Sequence, residues 1–363
     1  MSIQPAAGVP LAPLTTLGIG GPAEWFVRAT TADDVAEAHE WSDRTGVPLF
    51  VLGGGSNVVI ADRGIPGLIV MMAIGGTAFR RDREDTMVSA GAGEPWDPLV
   101  EATVNRGLAG IECLSGIPGS VGGTPIQNVG AYGQEVATVI QDVTVFDRLS
   151  GTLAVIAASD CGFAYRTSRF KQRDASRLIV CGVSFRLRPG VPTVTYPDVV
   201  TLLRETGNRT LTVRDVRDAV LTIRRRKGMV LDPADPDTRS VGSFFTNPVV
   251  RAGIHAQTAS AFPGPVPGFA AGAGQVKMSA AWLIEHAGYS CGHHAGAVGL
   301  SSKHPLAIVN RGGATARDVL EFAGRIKRAV IDRFGIWLTP EPAFIGFDDG
   351  DLAVAFLFEK RGG

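Results

Sequence analysis

The stretch that decides the fold reads LSGIPGSVGGTPIQNVGAYG and spans residues 114–133. It contains six glycines and no charged side chain. Glycine packs no side chain and loses more backbone entropy on folding than any other residue, so such a density needs a reason. One such reason is a backbone that must closely approach a flat or phosphorylated molecule. A shorter companion, LGGGSN at residues 52–57, precedes it. Together the two loops predict a large cofactor held mainly by main-chain groups.

The context of the shorter loop argues against the common nucleotide-binding loops. Residues 48–52 predict a buried strand and residues 58–60 a second one, so this loop joins strand to strand, whereas a Rossmann loop opens a helix. The chain has no GxGxxG at a strand–helix junction and no GK[ST]. Helices and strands also follow one another without βαβ regularity. The pattern therefore predicts an α+β fold of several small mixed sheets rather than a doubly wound parallel sheet.

Capping residues and hydrophobic periodicity place the other elements. Helices are predicted over residues 31–46, 95–106, 212–227, 279–288 and 315–334. Strands are predicted over residues 139–146, 152–156 and 178–187, and a C-terminal hairpin around residues 348–351.

Composition excludes several classes of protein. At 363 residues the chain exceeds one ordinary hydrophobic core, which predicts two or three domains. Lys+Arg and Asp+Glu both number 35, so the basic footprint of a nucleic-acid-binding protein is missing. Residues 1–20 lack the basic start of a signal peptide, and the apolar run at 65–74 is too short to span a bilayer. We expect no nucleic-acid partner and no membrane insertion.

Cysteine and histidine usage predicts no metal site. The cysteines at 113, 161, 181 and 291 show no CxxC spacing, which favours reduced thiols in a cytoplasmic protein. The segment CGHH at residues 291–294 lacks the ligand spacing of zinc sites. A loop with exposed imidazoles is the expectation there.

Five motifs stand in one order along the chain. They are GGGSN at 53–57, IPGSVGG at 117–123 with NVGAYG at 128–133, YR at 165–166, GSFFTNP at 242–248 and PEP at 340–342. With these motifs the chain resembles the family of UDP-N-acetylenolpyruvoylglucosamine reductases over about residues 10–347. GSFFTNP and the long glycine run are the specific part, because GGGSN is shared with other FAD-binding domains.

The resemblance implies three domains. An FAD-binding domain of the vanillyl-alcohol-oxidase/PCMH type would comprise one subdomain of residues 1–68 with 324–363 and another of residues 69–232. A C-terminal α+β domain, residues 233–323, would bind the substrate.

The resemblance also implies the activity. NADPH would reduce FAD, and the hydride would pass to the methylene carbon of the enolpyruvyl ether in UDP-N-acetylglucosamine enolpyruvate. The product would be UDP-N-acetylmuramate, a peptidoglycan precursor. Ser243 is the implied proton donor to the enolate. Arg166 would hold the enolate and carboxylate, instead of serving as a surface arginine paired with Asp160. Glu341, between two prolines, would hydrogen-bond the intermediate or tune Arg166. A cytoplasmic monomer is expected.

The implied ligand contacts form two sets. The cofactor set combines an anion nest for the FAD pyrophosphate with backbone lying against the flavin: Gly53, Gly54, Gly55, Ser56, Asn57, Ile117, Pro118, Gly119, Gly122, Gly123, Asn128, Gly130, Ala131 and Ile179. The substrate set is Tyr165, Tyr196, Lys227 and Asn247. VTYPD at 194–198 resembles the segment that carries a substrate-closing tyrosine in the longer family type, although Pro197 stands where the family often has glycine.

Two other classes of function remain open from the residues. One is an FAD-dependent oxidase of alcohols or lactones on the same fold, and the other is a non-enzymatic nucleotide-binding module. Ser243, Arg166 and Glu341 together favour the reductase, because an oxidase needs no proton donor for an enolate.

Overall fold

The computed structural model describes residues 3–205 and 211–360. The chain divides into two compact units, each built from separate segments of sequence. The first unit comprises residues 1–9, 23–55 and 66–231, and the second comprises residues 10–22, 56–65 and 232–363. The finer three-domain division stays a prediction.

The strands are β1 Ala6–Pro10, β2 Pro22–Ala29, β3 Leu49–Leu52, β4 Val58–Ile60, β5 Ile65–Met72, β6 Thr77–Asp82, β7 Asp85–Gly91, β8 Leu108–Ala109, β9 Gly130–Ala131, β10 Gln134–Glu135, β11 Ile140–Asp147, β12 Thr152–Ala157, β13 Leu178–Pro189, β14 Ser240–Ser243, β15 Val249–Arg251, β16 Gly268–Ala270, β17 Gln275–Met278, β18 His294–Ala295, β19 Val298–Leu300, β20 Ala307–Asn310 and β21 Ala343–Ile345. The helices are α1 Ala32–Thr45, α2 Trp96–Val104, α3 Pro197–Glu205, α4 Val213–Arg226, α5 Ala252–Ala261, α6 Ala280–His286, α7 Ala316–Phe334 and α8 Leu352–Phe358.

The first unit contains two main sheets. One has the strand order β1-β2-β5-β3, with β3 parallel to β5. The other is antiparallel, in the order β12-β11-β13-β7-β6, with β8 also on β13. Trp96 of α2 and Phe185 of β13 are buried between these elements at 1% and 0% exposure. The observed order of elements confirms the predicted α+β class.

The second unit is assembled around α7. Its sheets have the orders β14-β20-β19-β18 and β15-β17-β16, and β21 pairs in parallel with β4. The spacing of apolar residues in α7 predicts that Val319, Phe322, Ile326, Val330 and Phe334 face inward; the first four are buried and Phe334 is half-buried against the same core.

Helix starts follow the local sequence closely. Helices α1, α4 and α7 each begin with a capping box of Thr and Asp, at Thr31, Thr212 and Thr315. The threonine oxygen accepts a hydrogen bond from an otherwise unpaired N–H of the first turn. The aspartate carboxylate in turn accepts a hydrogen bond from the threonine's own backbone N–H. In the described part of the chain, no helix combines the length and apolar character needed to cross a membrane.

The predicted C-terminal hairpin is wrong. Asp351 is the N-cap of α8, and its Oδ1 accepts the backbone N–H groups of Ala353 at 2.9 Å and Val354 at 3.2 Å. An Asp-Gly-Asp run suits a tight turn and a helix start equally well, so local preference leaves the choice open. Packing on α7 decides it, because Leu357 is fully buried there.

Candidate active site

The two glycine loops of the first unit are in direct backbone contact. A Cβ atom at Gly53 would lie 2.9 Å from Oγ of Ser120, and one at Gly54 would lie 2.7 Å from the Cα of Gly119. Real Cβ atoms essentially never approach another atom so closely; at Gly54 the neighbour is backbone, whereas at Gly53 it is the end of a serine side chain. The loop after β3 therefore needs glycine at position 54, where it lies against the long run. Ser56 and Asn57, the last residues of that loop, belong to the second unit.

Inside the long run, glycine occurs for two different reasons. A Cβ atom at Gly122 would lie 2.6 Å from that of Ala92, and one at Gly130 would lie 2.7 Å from Cγ of Glu135. The protein itself fills these positions. At Gly123, by contrast, a Cβ atom would meet nothing within 4 Å. Here half-buried main chain faces open space, which fits a group held by backbone atoms, as FAD would be.

Three non-glycine residues in or beside the long glycine run have a left-handed backbone. Asn128, Tyr132 and Arg166 have φ values of 47°, 50° and 54°. Such values are uncommon outside glycine and cost about 1–3 kcal/mol each, so the surrounding structure must hold them. The other described example, Arg83 at φ 59°, lies in the β6–β7 turn. Clustering of strained backbone is typical of functional sites.

Asn128 ties the glycine run to the turn that carries Tyr165 and Arg166. It is 1% exposed. Its Nδ2 donates to Oε2 of Glu135 at 2.8 Å and to the carbonyl of Ala164 at 3.2 Å, and its Oδ1 accepts the Ala137 N–H at 3.1 Å. The predicted cofactor residue thus has a clear structural role as a junction of loops.

Arg166 is aimed by the main chain of the glycine run. Its Nη2 donates to the carbonyl of Gly130 at 2.6 Å, and its Nη1 lies 3.5 Å from the carbonyl of Asn128. The turn is closed by mutual backbone bonds between Ala164 and Thr167. The half-buried guanidinium offers planar, paired donors, and these two carbonyls orient it.

A second cluster in this unit joins Tyr132, Tyr196, Asp198 and Lys227. The Tyr132 and Tyr196 rings meet edge to face at 5.2 Å. Lys227 Nζ lies 3.2 Å from Oδ2 of Asp198 and 5.9 Å from the Tyr132 ring centre. Burial raises the pKa of Tyr132 above its ordinary 10.0, and Arg224 and Lys227 partly oppose this. Pro197 opens α3, where a proline is favourable.

Sequence reasoning missed Tyr132 and Asp198. Tyr132 lies in the NVGAYG motif, which the glycines explain, and Asp198 lies in VTYPD, which the tyrosine explains. Their role became visible only when α3 and α4 were brought together.

Helix α4 is fastened to the start of the glycine run. Both terminal nitrogens of Arg217 donate to Asp97, at 2.6 and 2.9 Å, and the Gly116 N–H donates to Oδ1 of Asp97 at 2.6 Å. Burial by itself would raise the pKa of Asp97, but these donors outweigh it and the pKa lies below 3.8. Buried Arg224 donates to the carbonyls of Gly116 and Met229. The position of Lys227, the residue that follows α4, therefore depends on the glycine run.

In the second unit, Ser243 lies at the end of β14 in an irregular register. Ser240 pairs with Val309 and Ser243 with Ala307, so the strand bulges between them. Gly242 in the bulge has φ 74°, which a side chain rarely adopts. A bulge bends the strand and redirects side chains. Phe244, fully buried, continues the pairing through its N–H to the Leu306 carbonyl at 2.8 Å.

Glu341 lies beside this strand. Its N–H donates to the carbonyl of Phe244 at 2.9 Å, and Pro340 bridges to Phe245. Asn57 approaches from β4: its Nδ2 lies 3.4 Å from the Glu341 carbonyl, and its own carbonyl accepts the Ala343 N–H at 3.0 Å. The Glu341 backbone is thus bonded to Phe244, the residue after Ser243, although the two segments are far apart in sequence.

The remaining predicted residues have ordinary surroundings. Tyr165 is exposed, while Ile117, Pro118 and Ala131 are half-buried in the run. Ile179 is buried in β13. Asn247 Oδ1 accepts the Ala280 N–H at 2.9 Å and so supports the start of α6. Across residues 3–205 and 211–360, no three His, Cys, Asp or Glu side chains are grouped as metal ligands would be.

Known proteins match the chain over almost its full length. A sequence family described as "FAD binding domain" matches residues 23–156, and one described as "UDP-N-acetylenolpyruvoylglucosamine reductase, C-terminal domain" matches residues 233–345. These matches confirm the predicted pairing of an FAD-binding domain of the vanillyl-alcohol-oxidase/PCMH type with a distinct C-terminal domain.

Relatives carry the same description. The UDP-N-acetylenolpyruvoylglucosamine reductase of Thermobifida fusca is 47% identical over 360 residues, covering 95% of this chain and 99% of the relative. That of Mycobacterium leprae is 44% identical over 354 residues, covering 94% and 95%. The crystal structure of the reductase from Thermus caldophilus superposes with a TM-score of 0.62 at 26% identity, covering 95% of this chain and 99% of the other.

Proposed function

The chain belongs to the family of UDP-N-acetylenolpyruvoylglucosamine reductases, FAD-dependent oxidoreductases of peptidoglycan precursor synthesis, and we propose that it reduces UDP-N-acetylglucosamine enolpyruvate to UDP-N-acetylmuramate with NADPH. The observation that carries the proposal is the hydrogen bond from the Glu341 N–H to the carbonyl of Phe244, the residue after Ser243. The family relationship indicates which reaction to expect, and this bond holds the backbone of Glu341 against the residue that follows Ser243. We propose that the protein acts as a cytoplasmic monomer.

The two glycine loops fit FAD as the cofactor. Bound FAD supplies hydride transfer, from NADPH and then to the substrate's methylene carbon. Gly53–Asn57 would present backbone N–H groups to its pyrophosphate. The open main chain at Gly123 supports a flavin contact there. The two loops lie in contact with each other, since a Cβ atom at Gly54 would be 2.7 Å from the Cα of Gly119.

Ser243 is the proposed proton donor. Hydride arrival at the methylene carbon leaves an enolate on the neighbouring carbon, and a serine hydroxyl can protonate so strong a base. The bulge at Gly242 and the fully buried Phe244 restrict the serine backbone to one arrangement. A fixed backbone would let the proton arrive from one side only.

Arg166 and Glu341 are proposed to stabilise the enolate. The oriented guanidinium of Arg166 offers paired donors to the enolate and the adjoining carboxylate. Glu341 has its direction restricted by Pro340 and Pro342, both buried. It would hydrogen-bond the intermediate or tune the arginine.

The cluster around Tyr132 supports the longer family type. Tyr196 is 37% exposed at the start of α3, where a ring can close over a ligand. Lys227 Nζ lies 5.9 Å from the ring centre of Tyr132, which in turn contacts the Tyr196 ring. We propose that Tyr196 and Lys227 bind the UDP diphosphate, with Tyr165 and Asn247 completing the substrate contacts.

The test is the visible spectrum of the purified holoenzyme. Addition of NADPH without oxygen should bleach the flavin band, and addition of UDP-N-acetylglucosamine enolpyruvate should restore it. Rapid recovery with oxygen alone would instead support an oxidase. A protein without a flavin spectrum after reconstitution with FAD would overturn both. Size-exclusion chromatography tests the monomer.

A further inference from the structure

The C-terminal helix α8 is fastened at its end by a buried lysine of α7. Lys327 is 0% exposed, and its Nζ donates to the carbonyls of Leu357 at 2.7 Å and Glu359 at 2.8 Å. The last carbonyls of a helix have no partner within the helix, and a cation near them is favourable. The lysine therefore both satisfies and holds the end of α8.

The start of α8 is fastened to α7 as well. Nη2 of Arg317 lies 2.9 Å from Oδ2 of Asp351, the N-cap of α8. Leu357 is fully buried in the core of this unit. A helix of seven residues is too short to be stable alone, so these contacts with α7 decide its place.

From the end of α8, aromatic rings lead to the strand that carries Ser243. Phe358 meets Phe344 edge to face at 5.2 Å and 86°, and Phe344 meets Phe244 at 6.2 Å and 87°. Edge-to-face pairs are worth about 0.5–1.5 kcal/mol beyond their burial and have a preferred angle. Phe244 directly follows Ser243.

Phe344 also lies on β21, shortly after Glu341. The Glu341 N–H reaches the Phe244 carbonyl, and the Ala343 N–H reaches the Asn57 carbonyl. A displacement of Phe344 would therefore move the backbone of Glu341 and the backbone next to Ser243 together.

We propose that α8 is a brace for the active site: Lys327, Phe358 and Phe344 are positioning residues that set the direction of the Ser243 hydroxyl and the Glu341 carboxyl. None of them needs to touch a ligand. The inference rests on the proposed function of Ser243 and Glu341, because it explains how their geometry is kept.

The first test compares Phe358→Ala with Leu352→Ala in the FAD-loaded enzyme. Phe358 is 42% exposed and Leu352, on the same helix, is 85% exposed, so both variants should fold. Because small misplacements of reacting groups are costly, we expect Phe358→Ala to slow flavin reoxidation by substrate about tenfold. Flavin reduction by NADPH should be unchanged, Leu352→Ala should behave as wild type, and Phe358→Leu should recover part of the rate.

The second test needs no turnover. Amide hydrogen exchange in peptides 241–247 and 339–345 should rise in Phe358→Ala and not in Leu352→Ala. Equal slowing of both half-reactions, or a rise in exchange throughout the unit, would overturn the brace, as would wild-type rates in a folded variant. Failure of the proposed function would show in a different measurement: the substrate would not reoxidise the flavin of the wild-type enzyme. The hydrogen-exchange comparison of the two variants does not depend on that reaction.

Discussion

Nη2 of Arg166 donates to the carbonyl oxygen of Gly130 at 2.6 Å. This bond connects the guanidinium proposed for catalysis to the glycine run proposed for the flavin. Gly130 also has no room for a side chain, since a Cβ atom there would lie 2.9 Å from the backbone carbonyl oxygen of Gln134, and 3.2 Å from Nη1 of Arg166. The backbone at Gly130 therefore belongs to the proposed flavin site and also orients the guanidinium of Arg166.

Replacing Arg166 by lysine should reduce turnover far more than it reduces affinity. Lysine keeps the charge but loses the paired donors. We expect kcat to fall about 10²–10³-fold, as for the loss of one preorganised donor, with a smaller change in KM. Steady-state kinetics check this. Arg169→Lys is the matched control, because Arg169 pairs with Asp174; an equal loss there would contradict the prediction.

Ser243→Ala should separate the two half-reactions. Flavin reduction by NADPH should keep its wild-type rate, and reoxidation by the enolpyruvyl substrate should slow by roughly 10²–10⁴-fold, the usual worth of a positioned acid. Stopped-flow absorbance of the flavin measures both. Ser260→Ala on α5, an exposed helix position, is the control. Fast reoxidation in Ser243→Ala would show that another group delivers the proton.

Two glycine-to-alanine substitutions should have different effects, one on stability and the other on FAD binding. Gly54→Ala drives a methyl group into the backbone of Gly119, so the FAD-free protein should lose about 1–3 kcal/mol of stability. Gly123→Ala meets open space and should leave the FAD-free protein unchanged while weakening FAD binding. Thermal unfolding without FAD and flavin titration distinguish them. Unchanged FAD affinity in Gly123→Ala would place the flavin elsewhere.

Lys327 should make stability depend on pH. Burial, opposed by Glu359, lowers its pKa from 10.5 to about 8. Between these values the unfolded chain holds a proton that the folded chain has released, so the free energy of unfolding rises with pH through this window. Compared with Lys327→Met, the wild type should gain up to about 3 kcal/mol from pH 8 upward.

Urea unfolding at pH 7.5, 8.5 and 9.5 measures this difference between the two proteins. Lys303→Met is the control, because the hydrogen bond to Asp235 raises the pKa of Lys303, so its difference should stay flat over the same range. A flat difference for Lys327→Met as well would contradict the prediction.

Local chemistry made much of the fold readable. The helix starts at Thr31, Thr212 and Thr315 were predicted correctly, and each has a capping box in the structure, which involves only residues within one turn. The strand–loop–strand setting of Gly53–Asn57 was also readable, because β-branched and apolar runs flank it. At the C-terminus the same reasoning failed, because Asp351 suits either a turn or a cap and Lys327 decides from another helix.

The sequence by itself therefore determined the class of cofactor loop, the α+β order and the helix starts, all of which depend on neighbours along the chain. Only the tertiary structure decided why each glycine is needed: Gly53, Gly54, Gly122 and Gly130 have their Cβ positions taken by the protein, and Gly123 does not. It also decided that Tyr132 meets Tyr196 and that Glu341 bonds to Phe244. Such contacts join segments far apart along the chain, and they form only where packing of the whole unit brings those segments within hydrogen-bond or ring-contact distance.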